Sequence, residues 1–194
     1  MPPTRAEMIE TTRAKLIAAA RQAFRQSGYA GTSMDDFTAQ AGLTRGALYH
    51  HFGDKKGLLA AVAGQIDGEM DVRLQAISRQ APDTWSAFRG RCRAYLEMGG
   101  EPEIRRIVLQ DARAVLGPVP AAAQQQCLGS LCALLQRLMD EGVVEPAEPL
   151  VLARLINGAL VDAAFWIAEE GEPGPRVAQA LEALDLLLRG LLRR

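Results

Sequence analysis

Apolar residues recur at three- and four-residue spacing along almost the whole chain, and this pattern restricts the fold more than any other feature. Such spacing gathers apolar side chains on one face of an α-helix, whereas a half-buried strand needs strict alternation. No convincing alternating run is present, and no turn dipeptide joins two strand-like segments. Only 5% of residues are aromatic, while the strong helix formers Ala and Leu abound. The expected class is all-α, with about nine helices.

Glycines and capping residues punctuate the pattern. A first helix is expected over about 11–26, with Ile9, Leu16, Ile17, Ala20, Ala23 and Phe24 on one stripe and Gly28 at its end. Ser33 opens a short second helix, spaced from Asp36 as a capping pair. Phe37 and Ala41 face inward, and Gly42 closes it. Thr44 caps a third helix that carries Leu48 and Phe52 inward and stops at Gly53. Asp54 caps a long fourth helix to about 78. Five more are expected over about 83–98, 102–116, 121–141, 148–170 and 175–192. The stretches EGVVEPAEP and EEGEPGP are the clearest breaks.

The 194 residues carry a net charge of −1, unevenly spread. Residues 1–60 hold eight Lys/Arg against five Asp/Glu, net +3; residues 61–194 hold fourteen against eighteen, net −4. All three lysines, Lys15, Lys55 and Lys56, lie in the first part. A basic head on an acidic body suggests that the head alone meets a polyanion. The expected division is a basic head over 1–55 and a helical body over 56–194. No run of ~18 uninterrupted apolar residues suggests a membrane span, and the first fifteen residues lack the apolar centre of a signal peptide. A cytoplasmic protein without a membrane partner is expected.

Three helices with a Gly-containing turn between the short second and third describe a helix-turn-helix unit. With Phe24, Phe37, Leu43, Leu48 and Phe52 inside, Arg45, Gly46, Tyr49 and His50 are left facing outward. The N-terminus of the third helix offers free N–H groups to a phosphate or base edge. Arg45 supplies a donor fork suited to guanine O6/N7 or to phosphate. Gly46 and Ala47 let the backbone approach closely, and Tyr49 and Lys55 can reach phosphates.

The stretch GYAGTSMDDFTAQAGLTRGALYHHFGDKKGLL resembles the DNA-binding domain of the TetR family of bacterial transcriptional regulators. The resemblance covers roughly residues 10–60. Its most specific part is AGLTRGALYHHFGDKKGLL, residues 41–59, with the order Thr-Arg-Gly-x-Leu-Tyr-x-His-Phe followed by Lys. It implies that Thr44 caps the recognition helix and that Arg45 reads bases or phosphate. It implies that Tyr49 and His51 contact the DNA backbone, that His50 approaches a base or phosphate, and that Lys55 holds a phosphate. Ser33 would cap the second helix and touch a phosphate. Two residues depart from the family's pattern: Phe37 replaces the usual Ile or Leu, and Thr38 the usual Ala.

No cofactor or metal is expected. His50 and His51 are adjacent on a helix and diverge by about 100°, so they cannot share an ion. Cys92, Cys127 and Cys132 read as small core residues, with a thiol switch as the alternative. The phosphate-loop, dinucleotide, zinc-protease and nucleophile-elbow motifs are absent, so no enzyme is expected.

The 148–170 helix is apolar nearly all round and needs burial on more than one side. A homodimer would cover the surplus, with Leu155, Gly158, Ala159, Leu181, Leu184 and Leu188 in the interface. The resemblance implies the same arrangement of the last two helices. Trp85, Phe88, Tyr95, Phe165 and Trp166, with Asp111, Asn157 and Asp162, are the candidate pocket for a small apolar or aromatic effector. Asn157 and Asp162 could instead bond across the dimer, and Asp111 a neighbouring helix terminus. The leading reading is a homodimer that binds double-stranded DNA and represses transcription until an effector releases it from a palindromic operator. A helical small-molecule-binding protein without DNA function, or a helical enzyme, are the competing classes.

Overall fold

The computed structural model describes residues 4–40, 42–117, 121–169 and 171–193. Its elements are α1 (Arg5–Gly31), α2 (Met34–Gln40), α3 (Arg45–Phe52), α4 (Lys55–Gln80), α5 (Thr84–Gly99), a π-helical segment (Ile104–Ala112) that runs into α6 (Arg113–Leu116), α7 (Ala121–Asp140), α8 (Pro149–Ala168) and α9 (Pro173–Arg189). No strand is formed among the described residues. The all-α class and the number of helices agree with the sequence period.

The helices gather into two compact units. One comprises Met1–Asp67 with Arg106–Gly117, the other Gly68–Arg105 with Pro118–Arg194. This differs from the division at residue 55. The first half of α4 and the 106–117 segment belong with the head, for reasons visible in their bonds.

Within the first unit, α1 starts well before the expected residue 11. Thr4 accepts the Glu7 N–H at 3.3 Å, and the Glu7 carboxylate accepts the Thr4 N–H at 2.6 Å. This capping box lies outside the apolar stripe, which explains why periodicity alone misses it. Ile9, on the added turn, is 40% exposed, whereas Leu16, Ala20 and Phe24 are fully buried. Phe37 of α2 and Leu48 of α3 pack into the same core, while Phe52 and Leu43 are half-buried. Ala41 lies outside the described residues. Thr38, at 3% exposure, keeps its hydroxyl satisfied by donating to the Met34 carbonyl at 2.8 Å, the usual solution for a threonine inside a helix.

Gly28 interrupts α1 with φ +68°, a conformation that strains any residue with a Cβ. The Arg106 side chain fills the space where that Cβ would stand. The interruption frees the Tyr29 N–H, which donates to Asp111 Oδ2 at 2.7 Å. Residues five apart on an α-helix lie about 140° apart around the axis; the wider i→i+5 winding brings them toward one side. Arg106 and Asp111 are accordingly paired across the π-helical segment, Nε to Oδ2 at 3.6 Å.

In the second unit α5 packs against α7, α8 and α9. Phe88, Cys92 and Leu96 of α5 meet Leu131, Leu135 and Leu138 of α7, with Leu160, Ile167, Leu184 and Leu188 from the last two helices. Asp185 of α9 accepts from Arg89 Nε and Nη2, both at 2.9 Å, and from Arg93 Nη1 at 2.6 Å. Arg91, 3% exposed, pairs with Asp71 at 3.2 Å.

α8 has 20 residues and a mean hydropathy of 1.7, long and apolar enough by composition to cross a membrane. Arg154, Asn157 and Asp162 interrupt it, so the sequence shows no uninterrupted apolar run here. α8 packs against α5, α7 and α9 in the same unit, yet Val151 (54%), Leu155 (67%) and Trp166 (38%) are exposed. On α9, Leu186 and Leu187 are likewise 68% and 63% exposed. The apolar surplus on the last two helices is thus present, but its residues differ in part from those expected. Leu184 and Leu188 turn into the protomer's own core, at 6% and 2% exposure, and Leu181 is half-buried against it. On α9 the outward apolar positions are the intervening ones. Leu155, Gly158 and Ala159 of α8 are exposed, as an interface role requires.

Candidate nucleic-acid interface

The reading surface is built by three N-terminal caps and one close contact. The Thr44 hydroxyl accepts the Ala47 N–H at 3.2 Å and starts α3. Gly53, with φ +76°, ends it. Asp54 then accepts the Gly57 N–H at 2.7 Å and starts α4. A Cβ on Gly57 would collide with the Phe52 carbonyl oxygen, so the tight passage from α3 to α4 requires glycine there. Ser33 accepts the Asp36 N–H at 3.3 Å at the start of α2.

With Leu48 fully buried, α3 turns Arg45, Gly46, Tyr49 and His50 to solvent; His51 is half-buried. The Arg45 guanidinium is already engaged. Its Nη1 lies 3.2 Å and 3.3 Å from the two Asp35 carboxylate oxygens, and its Nη2 donates to the Tyr49 hydroxyl at 3.4 Å. The Tyr49 hydrogen bond, with the charge of Asp35, raises the guanidinium's pKa above its ordinary value. His50 and His51 rings meet edge to face at 5.4 Å. No group of three or more His, Cys, Asp or Glu able to hold a metal gathers among the described residues.

Lys55 departs from expectation. Its Nζ donates to the Thr32 carbonyl at 2.7 Å and lies 4.5 Å from the Tyr29 ring centroid. Burial lowers its pKa, partly countered by Asp111. Lys55 thus ties the first turn of α4 to the end of α1. The exposed lysine at this helix start is its neighbour Lys56. A sequence pattern locates a lysine but not the carbonyl that captures it.

The residues of the expected effector pocket fall in both units. Asp111 belongs to the first unit, where it accepts the Tyr29 N–H, whereas Trp85, Phe88, Tyr95, Asn157, Asp162, Phe165 and Trp166 belong to the second. Phe88 is fully buried in the core, with Trp85 and Tyr95 packed against that core, and Phe165 is half-buried. The Asn157 amide oxygen accepts from the Cys127 thiol at 3.5 Å, joining α8 to α7 within the protomer. Asp162 is exposed. Trp166 lies under Arg176, 5.8 Å from ring centroid to guanidinium carbon, and its carbonyl accepts from Arg176 at 3.1 Å. An open groove of about 560 Å³ lies elsewhere, lined by Gln125, Leu128, Gly129, Cys132, Ala133, Gln136, Leu150 and Arg154. Among the missed residues, Asp35 touches the reading arginine itself. It is ten positions before Arg45 on another helix, beyond any helical spacing rule.

Comparison with known proteins agrees with this geometry. Residues 16–62 match the family described as bacterial regulatory proteins of the tetR family, and residues 85–191 match the tetracyclin repressor-like C-terminal domain. The second match alone spans more than half the chain. This chain belongs to the TetR family. A TetR-family transcriptional regulator from Pectobacterium atrosepticum, solved as a crystal structure, is 62% identical, with 99% of each chain covered and a TM-score of 0.93. The transposon Tn10 TetC protein of Escherichia coli is 27% identical over 154 residues, 78% of each chain. The TtgR regulator of Pseudomonas putida is 45% identical over 60 residues, 31% of this chain and 29% of its own. The TetR-family chain is a DNA-binding transcriptional regulator with an N-terminal helix-turn-helix domain.

Proposed function

We propose that the protein is a homodimeric repressor that binds a two-fold symmetric operator and leaves it when the helical body takes up an apolar or aromatic small molecule. The observation that carries the reading is the outward face of α3, where Arg45, Gly46, Tyr49 and His50 are exposed around a buried Leu48. Arg45 reads a base edge, Tyr49, His50 and His51 contact DNA near it, and Ser33 and Thr44 stand at helix starts where phosphates are favoured. With Lys55 committed to Thr32, the lysine for a phosphate is Lys56.

Dimerisation is supported by the exposed Val151, Leu155, Leu186 and Leu187 on α8 and α9, where Gly158 and Ala159 allow close helix approach. Exposed apolar side chains clustered on two helices mark an interaction surface. A closed two-fold dimer would present two copies of α3 to successive major grooves about 34 Å apart. DNA in the bacterial cytoplasm is the partner this requires, and nothing in the reading involves catalysis. Selection of bound duplexes from a random-sequence pool tests it. Enrichment of a symmetric site with half-sites about 10 bp apart is expected. Recovery of sequences without symmetry, or of none, overturns it.

A further inference from the structure

The exposed surface of α3 has one feature that base reading does not call for: a carboxylate beside the reading arginine. Asp35 stands in the first turn of α2, and both its oxygens lie within 3.3 Å of Arg45 Nη1. On the other side Tyr49, one helical turn along α3, accepts from Nη2 at 3.4 Å, with its ring 5.9 Å from the guanidinium carbon. The guanidinium is thus held at both terminal nitrogens by groups from two different helices. Neither partner is buried: the Arg45 and Asp35 side chains are 53% and 65% exposed. A surface ion pair of this kind adds little to folding stability. An acid at this place also repels the phosphates that a DNA-binding face must approach. Its presence therefore calls for a reason at the reading step.

We infer that Asp35 is a specificity-determining positioning residue: it holds the Arg45 guanidinium away from the phosphates and toward a base edge. Arginine has five N–H donors. One on Nη1 goes to Asp35 and one on Nη2 to Tyr49, which leaves three for DNA. A free arginine at the same place could swing to any nearby phosphate, a contact that carries no sequence information. Held from two sides, it surrenders less rotamer freedom on reaching a base, the general advantage of a preorganised contact. The negative charge of Asp35 acts in the same direction, because it weakens binding to every duplex alike and leaves the base contact to decide. Asp35 thus lowers overall affinity and raises discrimination.

The inference rests on the reading that Arg45 contacts a base, and the test separates the two. The quantity measured is the ratio of dissociation constants for a scrambled duplex and for the duplex recovered by selection. It is measured by fluorescence anisotropy at fixed salt for the full-length wild type, Asp35→Asn, Asp35→Ala, Arg45→Ala and the Asp35→Asn/Arg45→Ala double variant. Thermal unfolding of each establishes that the exposed substitutions leave the fold intact. Both Asp35 variants are expected to bind the scrambled duplex more tightly and to lose about fivefold or more of the ratio. Arg45→Ala is expected to lose about tenfold or more, and adding Asp35→Asn to it is expected to change the ratio by less than about twofold. If Arg45→Ala collapses the ratio while the Asp35 variants tighten both duplexes equally, Asp35 supplies charge alone and the inference is overturned. If Arg45→Ala leaves the ratio at its wild-type value, the base contact itself is overturned and the inference falls with it.

Discussion

Lys55→Met separates a lysine that holds DNA from one that holds the protein together. The Lys55 ammonium donates to the Thr32 carbonyl at 2.7 Å and packs on the Tyr29 ring at 4.5 Å. Thr32 is the residue that ends α1, and it is 7% exposed, so its carbonyl has little access to replacement water. A hydrogen bond from a charged donor is worth about 1.5–3 kcal/mol, and a partly exposed cation–π contact adds about 0.5–1 kcal/mol. Desolvation of the ammonium, which lowers its pKa, offsets part of the sum. Methionine keeps the stem's packing and removes only the ammonium, so a loss of about 2 kcal/mol is expected. For a chain of this size that corresponds to a fall in Tm of about 4–8 °C. The DNA side of the experiment is the salt dependence of operator binding. Loss of a phosphate contact reduces the slope of log K against log salt by about 0.9 per contact. Unfolding by circular dichroism and operator binding from about 50 to 200 mM salt therefore give opposite answers for the two roles. A lower Tm with an unchanged slope is expected. An unchanged Tm with a flattened slope would refute the assignment of Lys55 to Thr32.

Gly57→Ala places a Cβ against the Phe52 carbonyl oxygen, and a cost of about 1–3 kcal/mol in urea unfolding is expected. Leu186→Glu or Leu155→Glu, each at an exposed apolar position, should leave the protein at 21.0 kDa in sedimentation at micromolar concentration while wild type sediments as twice that mass; variants that sediment like wild type place the interface elsewhere. The Cys92 thiol is 1% exposed, and burial pushes its pKa up to about 12; it should resist alkylation at pH 8 in the folded protein and react on unfolding, as read by mass spectrometry. Asp185 is held below its ordinary pKa by the hydrogen bond from Arg89, with Arg93 acting in the same direction. Its contribution is therefore complete above the unfolded carboxylate value and is lost as pH falls through the lower folded value. Asp185→Asn should be less stable than wild type at pH 7, and the gap should close on acidification below pH 4.

The all-helical class, the helix-turn-helix and the outward residues of α3 were legible because they rest on local signals: period, caps and glycines at turns. Thr44, Gly53 and Asp54 punctuate the chain as their chemistry requires. What escaped depends on partners distant in sequence. Asp111 does bond a neighbouring helix end, the alternative its position offered, but its partner, the Tyr29 N–H 82 residues away, follows from the left-handed Gly28 and a π-helical winding that no apolar spacing announces. Lys55 goes to a carbonyl 23 residues before it. On α9 the period identified an apolar helix but not which leucines face inward, since Leu184 and Leu188 alternate with Leu186 and Leu187 on a helix apolar on two sides. A role for the aromatic residues is undetermined by the pattern for a related reason: side chains at helical spacing fill a core as readily as they line a cavity.

The central claim is that α3 enters the major groove and reads base edges there. Methylation interference on the selected duplex tests it directly, because dimethyl sulfate modifies guanine N7 in the major groove and adenine N3 in the minor groove. Methylated guanines in two clusters about 10 bp apart should block binding, while methylated adenines should be tolerated. Interference confined to adenine N3, or a pattern indifferent to methylation on either groove face, would contradict the account.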